Sequence, residues 1–151
     1  GEIVIRGHNI FKGYLNNQKA TAEAIIDGWF RSGDIGIKDE EGFISIVDRT
    51  KDMIIRGGFN VYPREVEEVI IRYPGIKQVA VIGIPDDVHG EEIVAVIVAE
   101  EGAVVAVELI EWTKEHIGSY KYPRHVEFVT EMPLGPSGKV LKRVLLEQFK
   151  K

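Results

Sequence analysis

The chain has no cysteine. That excludes disulfides, thiolate nucleophiles and cysteine-held metals. It has no apolar run approaching the ~20 residues that a membrane helix needs, and no leader-like basic and apolar opening. Positive charge is in short supply. Lys and Arg number 19 against 24 Asp and Glu, the formal net charge is −5, and the cations are scattered. This excludes the electrostatic footprint of a nucleic-acid binder, so no nucleic-acid partner is expected. His8, His89, His116 and His125 have no metal-ligand spacing and no nucleophile to serve. They read as structural or solvated, and no metal site is expected. Internal repeats and low-complexity segments are lacking too. What is present is 151 residues, 44% hydrophobic and 28% charged, enough for one packed domain or one domain plus a piece of another. Gly1 opens the chain inside a strand-like segment without a Met, which reads as a cut through something longer.

The patterning predicts a layout. Glu2 to Arg6 alternates and is β-branched, as a strand does. Residues 17–26 read as a short helix ended by Asp27-Gly28. Trp29-Phe30, Ile35-Gly36-Ile37 and Phe43 to Val47 read as short strands, the last two joined by a turn at residues 39–42. Met53-Ile54-Ile55 is another strand. Pro63 suits a helix start, and Val66, Val69, Ile70 and Tyr73 share one face of that helix until Pro74-Gly75 stops it. Strands follow at residues 78–84 and 92–99, the second apolar almost throughout and so central in its sheet. A helix over 107–117 with Ile110, Thr113 and Ile117 on one side, a strand at 125–129 and a helix over 140–149 complete the chain. Trp29 and Trp112 read as packing residues. From Arg49 on, strands and helices mix in a compact unit, so the fold class is α+β. The boundary expected is at the charged bend Asp48-Arg49-Thr50-Lys51, giving residues 1–48 and 49–151.

Four features carry candidate chemistry. Asp34 follows Gly33 after an aromatic strand, where a carboxylate can accept two hydrogen bonds from a vicinal diol or cap its own turn. Spacing alone favours the cap. Arg49 offers a planar fork of donors, or makes a surface ion pair. Lys139 ends the tight stretch Pro136-Ser137-Gly138 at the start of the last helix, an electrostatically poor place for a cation, and this misfit argues for a task over a merely solvated lysine. The stretch fails the phosphate-loop pattern, since Pro133 and Val140 stand where Gly and Ser or Thr belong. Gly57-Gly58, after an apolar strand, permits positive φ and close backbone approach, or simply turns a hairpin.

Three stretches occur in order: Trp29-Phe30-Arg31-Ser32-Gly33-Asp34, then residues 48–65 (DRTKDMIIRGGFNVYPRE), then Pro133-Leu134-Gly135-Pro136-Ser137-Gly138-Lys139. Together they resemble the C-terminal part of an acyl-CoA synthetase of the adenylate-forming superfamily. The resemblance covers nearly the whole chain. It implies that residues 1–48 are the β-rich last strands of a large, incomplete AMP-binding domain, and that 49–151 are its small, mobile α+β C-terminal domain, with a central three-stranded sheet flanked by helices plus a two-stranded hairpin, the hinge at 49–51 and Lys51 at its pivot. It implies that Asp34 and Arg49 hold the ATP ribose, and that Lys139 reaches the acyl carboxylate and α-phosphate region during adenylation. It places Gly57 and Gly58 beside the pantetheine path, with Arg56 and Phe59 as weaker candidates on the same CoA side. The Lys121-Tyr122-Pro123-Arg124 stretch is a further candidate for the CoA phosphates. The implied co-substrates are a carboxylic, fatty-type acid, ATP with Mg²⁺ bound mainly by the absent N-terminal domain, and CoA.

On this reading the chain alone folds from Arg49 onward but catalyses little, and its unpaired strands favour self-association. Its expected partners are those small molecules and the missing N-terminal domain. A cytoplasmic location is expected, with a membrane-peripheral full-length enzyme as the alternative. Two other readings stay open. One is a peptide-synthetase adenylation domain or luciferase-like enzyme; the other is an interaction module without chemistry. The Phe59-Asn60-Val61-Tyr62-Pro63-Arg64-Glu65-Val66-Glu67 segment looks more like the CoA ligases.

Overall fold

The computed structural model describes residues 1–149, in two compact units, Gly1–Lys51 and Asp52–Lys151. Among the described residues no helix is long and apolar enough to cross a membrane.

The first unit is built around one long strand. Strands β1 (Glu2–Ile5), β2 (Ile25–Ile26), β3 (Trp29–Lys38) and β4 (Ile44–Arg49) form an antiparallel sheet in which β3 pairs all the others. Phe30 faces both Ile5 and Ile25, and Ile35 faces both Glu2 and Asp48, so β1 lies on one edge of β3 and β2 and β4 on the other. The two short strands expected at Trp29-Phe30 and Ile35-Gly36-Ile37 are therefore one. Gly33, with φ +73°, keeps β3 continuous where the β1 register slips. Gly36 lies where an added Cβ would stand 2.9 Å from the Ile3 side chain, so only glycine lets β1 pack across it. Helix α1 (Gln18–Ala24) is capped by Asn17, whose side chain accepts the Ala20 N–H. It ends earlier than the sequence suggests, because the β-branched pair Ile25-Ile26 joins the sheet instead. Trp29 is not a core residue; its ring lies half exposed under the Arg6 guanidinium.

The second unit is an α+β sandwich, the class expected. Strands β7 (Ile76–Asp86) and β8 (Gly90–Ala99) form a long antiparallel pair. The other edge of β8 takes β9 (His125–Phe128) in parallel, and, at its start, β5 (Ile54–Arg56) of the β5–β6 hairpin, with β6 at Phe59–Val61. The hairpin and the three central strands thus form one five-stranded sheet, joined by the Arg56–Gly90 pairing. Helices α2 (Pro63–Ile70) and α3 (Ala106–His116) cover one face, where Ile93, Ala95 and Ile97 meet Val66, Ile70 and Leu109. Helix α4 (Lys142–Phe149) covers the other, where Val94 and Val96 meet Met132 and Leu145. That is why β8 reads as apolar at every step: alternate side chains enter different cores.

Helix faces shift slightly from expectation. In α3 the buried positions are Leu109 and Thr113, while Ile110 is half-buried. In α4 they are Leu145, with Leu146 and Phe149 packed beside it, while Leu141 and Val144 stay exposed. In α2 Val66 and Ile70 are fully buried, each contributing about 1.5–3 kcal/mol. Trp112 packs as expected, edge-on to Tyr73 with centroids 5.4 Å apart.

Candidate functional site

In the first unit, antiparallel register sets Asp34 directly opposite Arg49. Arg49 Nε donates to Asp34 Oδ1 at 3.0 Å. Asp34 is in a strand, not a turn, so its carboxylate does not cap its own backbone. Ser32 does the local ordering, with a hydroxyl that donates to the Ile3 carbonyl at 2.7 Å and accepts the Asp34 N–H at 3.0 Å. The Asp34–Arg49 pair is largely exposed, so its contribution to stability is small, on the order of 0–1 kcal/mol. Arg49, Thr50 and Lys51 border an open cleft of about 650 Å³ that Glu2, Tyr14 and Arg31 also line. Glu2 is a member of this site that sequence reading missed. Its carboxylate takes Arg31 and the Gly33 N–H, and the Arg31 hydrogen bond, with that N–H, holds its pKa below the usual carboxylate range. Only the register of β1 against β3 reveals it.

Lys51 stands exposed in a single 3₁₀ turn, Thr50–Asp52, and is the last residue of the first unit.

In the second unit, Gly57 and Gly58 are the two central residues of the β5–β6 hairpin, with φ +56° and +82°. Positive φ at both positions is the demand of a type I′ turn, which suits strand twist and suits glycine. A Cβ on Gly58 would meet nothing within 4 Å. Phe59 is exposed and stacks on Tyr120 with centroids 4.9 Å apart. Arg56 differs from expectation. Its guanidinium is committed to Glu92, with Nε to Oε1 at 2.6 Å and Nη2 to Oε2 at 2.9 Å. Lys121, offered for the CoA phosphates, is likewise engaged, donating to both oxygens of Glu65 at 2.6 and 2.8 Å. Burial disfavours its charge, but that carboxylate outweighs burial and raises its pKa. Arg124 lies over the Tyr122 ring, 3.4 Å from its centroid.

Asp86, His89 and Glu92 bring potential metal-ligand atoms within 4.8 Å of one another. They do not suit a cation. Asp86 Oδ1 already accepts the N–H groups of Val88 and His89 and contacts His89 Nδ1 at 3.1 Å, while Glu92 carries Arg56 and the Ile93 N–H. Those backbone bonds, led by the His89 N–H, lower the Asp86 pKa.

Lys139 is exposed in a small hairpin-like turn closed by a Leu134–Val140 bridge. Gly135 N–H donates to the Lys139 carbonyl at 2.8 Å and Gly138 N–H to the Gly135 carbonyl at 2.9 Å. Helix α4 starts at Lys142, not at Val140, so Lys139 lies outside the first helical turn and the dipole misfit expected there does not arise. Lys142 instead ties α4 to α2 by an ion pair with Glu67 at 2.7 Å, and Glu67 also accepts the Val81 N–H.

Residues 65–139 match the family described as the AMP-binding enzyme C-terminal domain. The chain is 48% identical over 149 residues to the long-chain-fatty-acid–CoA ligase FadD13 of Mycobacterium tuberculosis, a match that takes in 99% of this chain and 30% of the relative. It is 46% identical over 150 residues to a feruloyl-CoA synthase of an Amycolatopsis species, again covering 99% of this chain and 30% of that protein. The chain thus spans about a third of the length of these curated relatives. Among solved structures, ATP-bound MatB from Rhodopseudomonas palustris matches with a TM-score of 0.93 at 39% identity, over 100% of this chain and 30% of that one. The apo form of MatB matches with a TM-score of 0.71, so the two MatB forms differ from each other over this stretch. The chain is thus similar over nearly its whole length to CoA ligases, and its residues 65–139 match the C-terminal domain of AMP-binding enzymes.

Proposed function

We propose that this chain is the C-terminal part of an ATP-dependent acyl-CoA ligase. Such an enzyme activates a carboxylic acid, of fatty type on the strength of its relatives, as an acyl-adenylate and transfers it to CoA. In the first half-reaction a carboxylate oxygen bonds to the α-phosphorus of ATP and the bond to pyrophosphate breaks. In the second, the CoA sulfur bonds to the acyl carbon, AMP leaves, and the thiol proton passes to solvent.

The observation that carries the reading is the cross-strand Asp34–Arg49 pair, whose Arg49 lines an open cleft. Asp34 uses Oδ1 on Arg49, and its other oxygen has no hydrogen-bond partner among the described residues. A carboxylate so held can accept both hydroxyls of a ribose while Arg49 supplies positive potential beside it. Lys139 stands exposed on a short turn, free to offset charge at the α-phosphate as pyrophosphate leaves. The Gly57-Gly58 turn offers bare backbone to the passage of a thiol. Lys51, at the junction of two compact units, is the pivot assigned to the change between the half-reactions. Mg²⁺ is assigned to the remainder of the longer enzyme, since Asp86 and His89 are already bonded to each other and Glu92 to Arg56. The missing N-terminal domain is likewise assigned the acid pocket, so the 151-residue chain alone is expected to be inactive.

The test is acid-dependent ATP–pyrophosphate exchange by the longer chain, followed by thioester formation on adding CoA. Exchange followed by thioester supports the ligase. Exchange that yields no thioester with CoA points to another adenylate-forming enzyme. Absence of exchange with every carboxylic acid tried overturns the reading.

A further inference from the structure

We propose that Arg56 and Glu92 are a positioning pair that sets the Gly57-Gly58 turn, and that through it they govern the thioester-forming half-reaction; this rests on the ligase reading above. Glu92 carries a charge into the most apolar strand of the unit, with a side chain only 8% exposed, and Arg56 opposite is 11% exposed. Burial pushes the Glu92 pKa up, but the Arg56 fork, the Ile93 N–H and the nearby Arg124 more than offset it, so the carboxylate stays ionised. A buried ion pair stabilises little compared with an apolar pair of the same volume. What it supplies is a single geometry, because a planar fork meets a carboxylate in few ways.

The place where that geometry is imposed is specific. Strand β5 has three residues, and its backbone register with β8 consists of one pairing, Arg56 with Gly90. Ile54 and Val61 anchor the open end of the hairpin in the core, but its turn end could still swing about that one pairing. Three contacts prevent this, all from the start of β8 and the turn before it. The Arg56 fork grips Glu92 at 2.6 and 2.9 Å. Gly57 N–H donates to the His89 carbonyl at 2.8 Å. Ile55 N–H donates to Glu91 Oε2 at 2.6 Å. The bracing turn is itself ordered by Asp86, through the N–H groups of Val88 and His89. Arg56 immediately precedes the first positive-φ glycine, so its orientation sets the direction in which the turn projects.

The experiment compares wild type, Glu92→Gln and the apolar double variant Arg56→Met with Glu92→Leu. In the longer chain three quantities are measured: the unfolding midpoint, acid-dependent pyrophosphate exchange, and the single-turnover rate of thioester formation from preformed acyl-adenylate. In the 151-residue chain the hydrogen-exchange rate of the Gly57 amide is measured against amides of β8. The expected result for the double variant is an unchanged midpoint, unchanged pyrophosphate exchange, a thioester rate lowered at least about tenfold, and Gly57 exchange faster while β8 is unaffected. Should the double variant fail to fold, Glu92→Gln carries the same comparison. Equal losses in both half-reactions, or a thioester rate and Gly57 exchange both at wild-type values, would overturn the proposal. A wild-type chain lacking both half-reactions would overturn the ligase reading instead, and the Gly57 exchange would still decide the positioning.

Discussion

At the scale of single residues, exposure separates chemistry from structure. Lys139 is exposed and belongs to neither apolar core of its unit. Lys139→Ala should therefore change the stability of the second unit by less than about 0.5 kcal/mol. In the longer enzyme it should lower adenylation by about 10²–10³-fold while sparing thioester formation from preformed adenylate. Half-reaction kinetics with a parallel denaturation curve check this, and equal losses in both steps would reject the assignment. Glu92 is the opposite case, a buried carboxylate whose folded pKa is lowered. A lowered folded value means that the folded state holds fewer protons than the unfolded chain between the two pKa values. Its stabilisation is then fully present above the unfolded value of about 4.3 and is lost as pH falls through the folded one. Thermal unfolding from pH 7 to 3 should show a drop below about pH 4.3, and the drop should be smaller in Glu92→Gln. An identical pH profile in that variant would show that another group governs the acid limb.

At the scale of elements, the β5–β6 hairpin offers the sharpest test. The local demand on Gly58 is conformational, φ +82°, and not steric, since an added Cβ meets nothing within 4 Å. Asn tolerates that backbone region and Leu does not. Gly58→Asn should thus fold nearly as well as wild type, whereas Gly58→Leu should destabilise by about 1–2 kcal/mol. If the turn borders the pantetheine path, both substitutions should block thioester formation, and acyl-adenylate should accumulate. An Asn variant that folds and transfers acyl groups at the wild-type rate would show that nothing passes close to Gly58. The hairpin also shows how far elements are legible. Gly-Gly after an apolar strand left open a close backbone approach, a bulge or a hairpin turn, and the structure shows the turn. The attachment of that hairpin to β8 was not legible, because one backbone pairing and an ion pair 36 residues apart leave no periodic trace.

At the scale of the whole molecule, the two units are unequal in core. The second has two apolar clusters, one on each face of its sheet. In the first, Ile35 is the one buried apolar side chain among the described residues, while Leu15, Ile37, Phe43, Ile44 and Ile46 are exposed. A sheet with so little cover and open strand edges invites association. Light scattering should therefore show the 151-residue chain self-associating with rising concentration. A chain beginning at Asp48 should remain monomeric and unfold cooperatively. A monomeric long chain whose residues 1–48 resist hydrogen exchange as well as the rest would refute this.

What the sequence determined by itself was whatever depends on neighbours a few residues apart. The α+β class, the Pro63 helix start, the doubly buried β8 and the glycine turn all follow from local periodicity and backbone sterics. Asp34, Arg49, Gly57, Gly58 and Lys139 were legible as candidates because their motifs are short and contiguous. Tertiary structure decided the rest. It made one strand of Trp29–Lys38, because β1 and β4 pair along its whole length. It set Asp34 across from Arg49 by register, brought Glu2 into the cleft that Arg49 lines, and moved the start of α4 to Lys142. It also set Arg56 against Glu92. Charges meet across a sheet according to strand register, and that register is fixed by the sum of many distant pairings. No local pattern encodes it, which is why the roles of Arg56 and Glu92 became visible only in the folded chain.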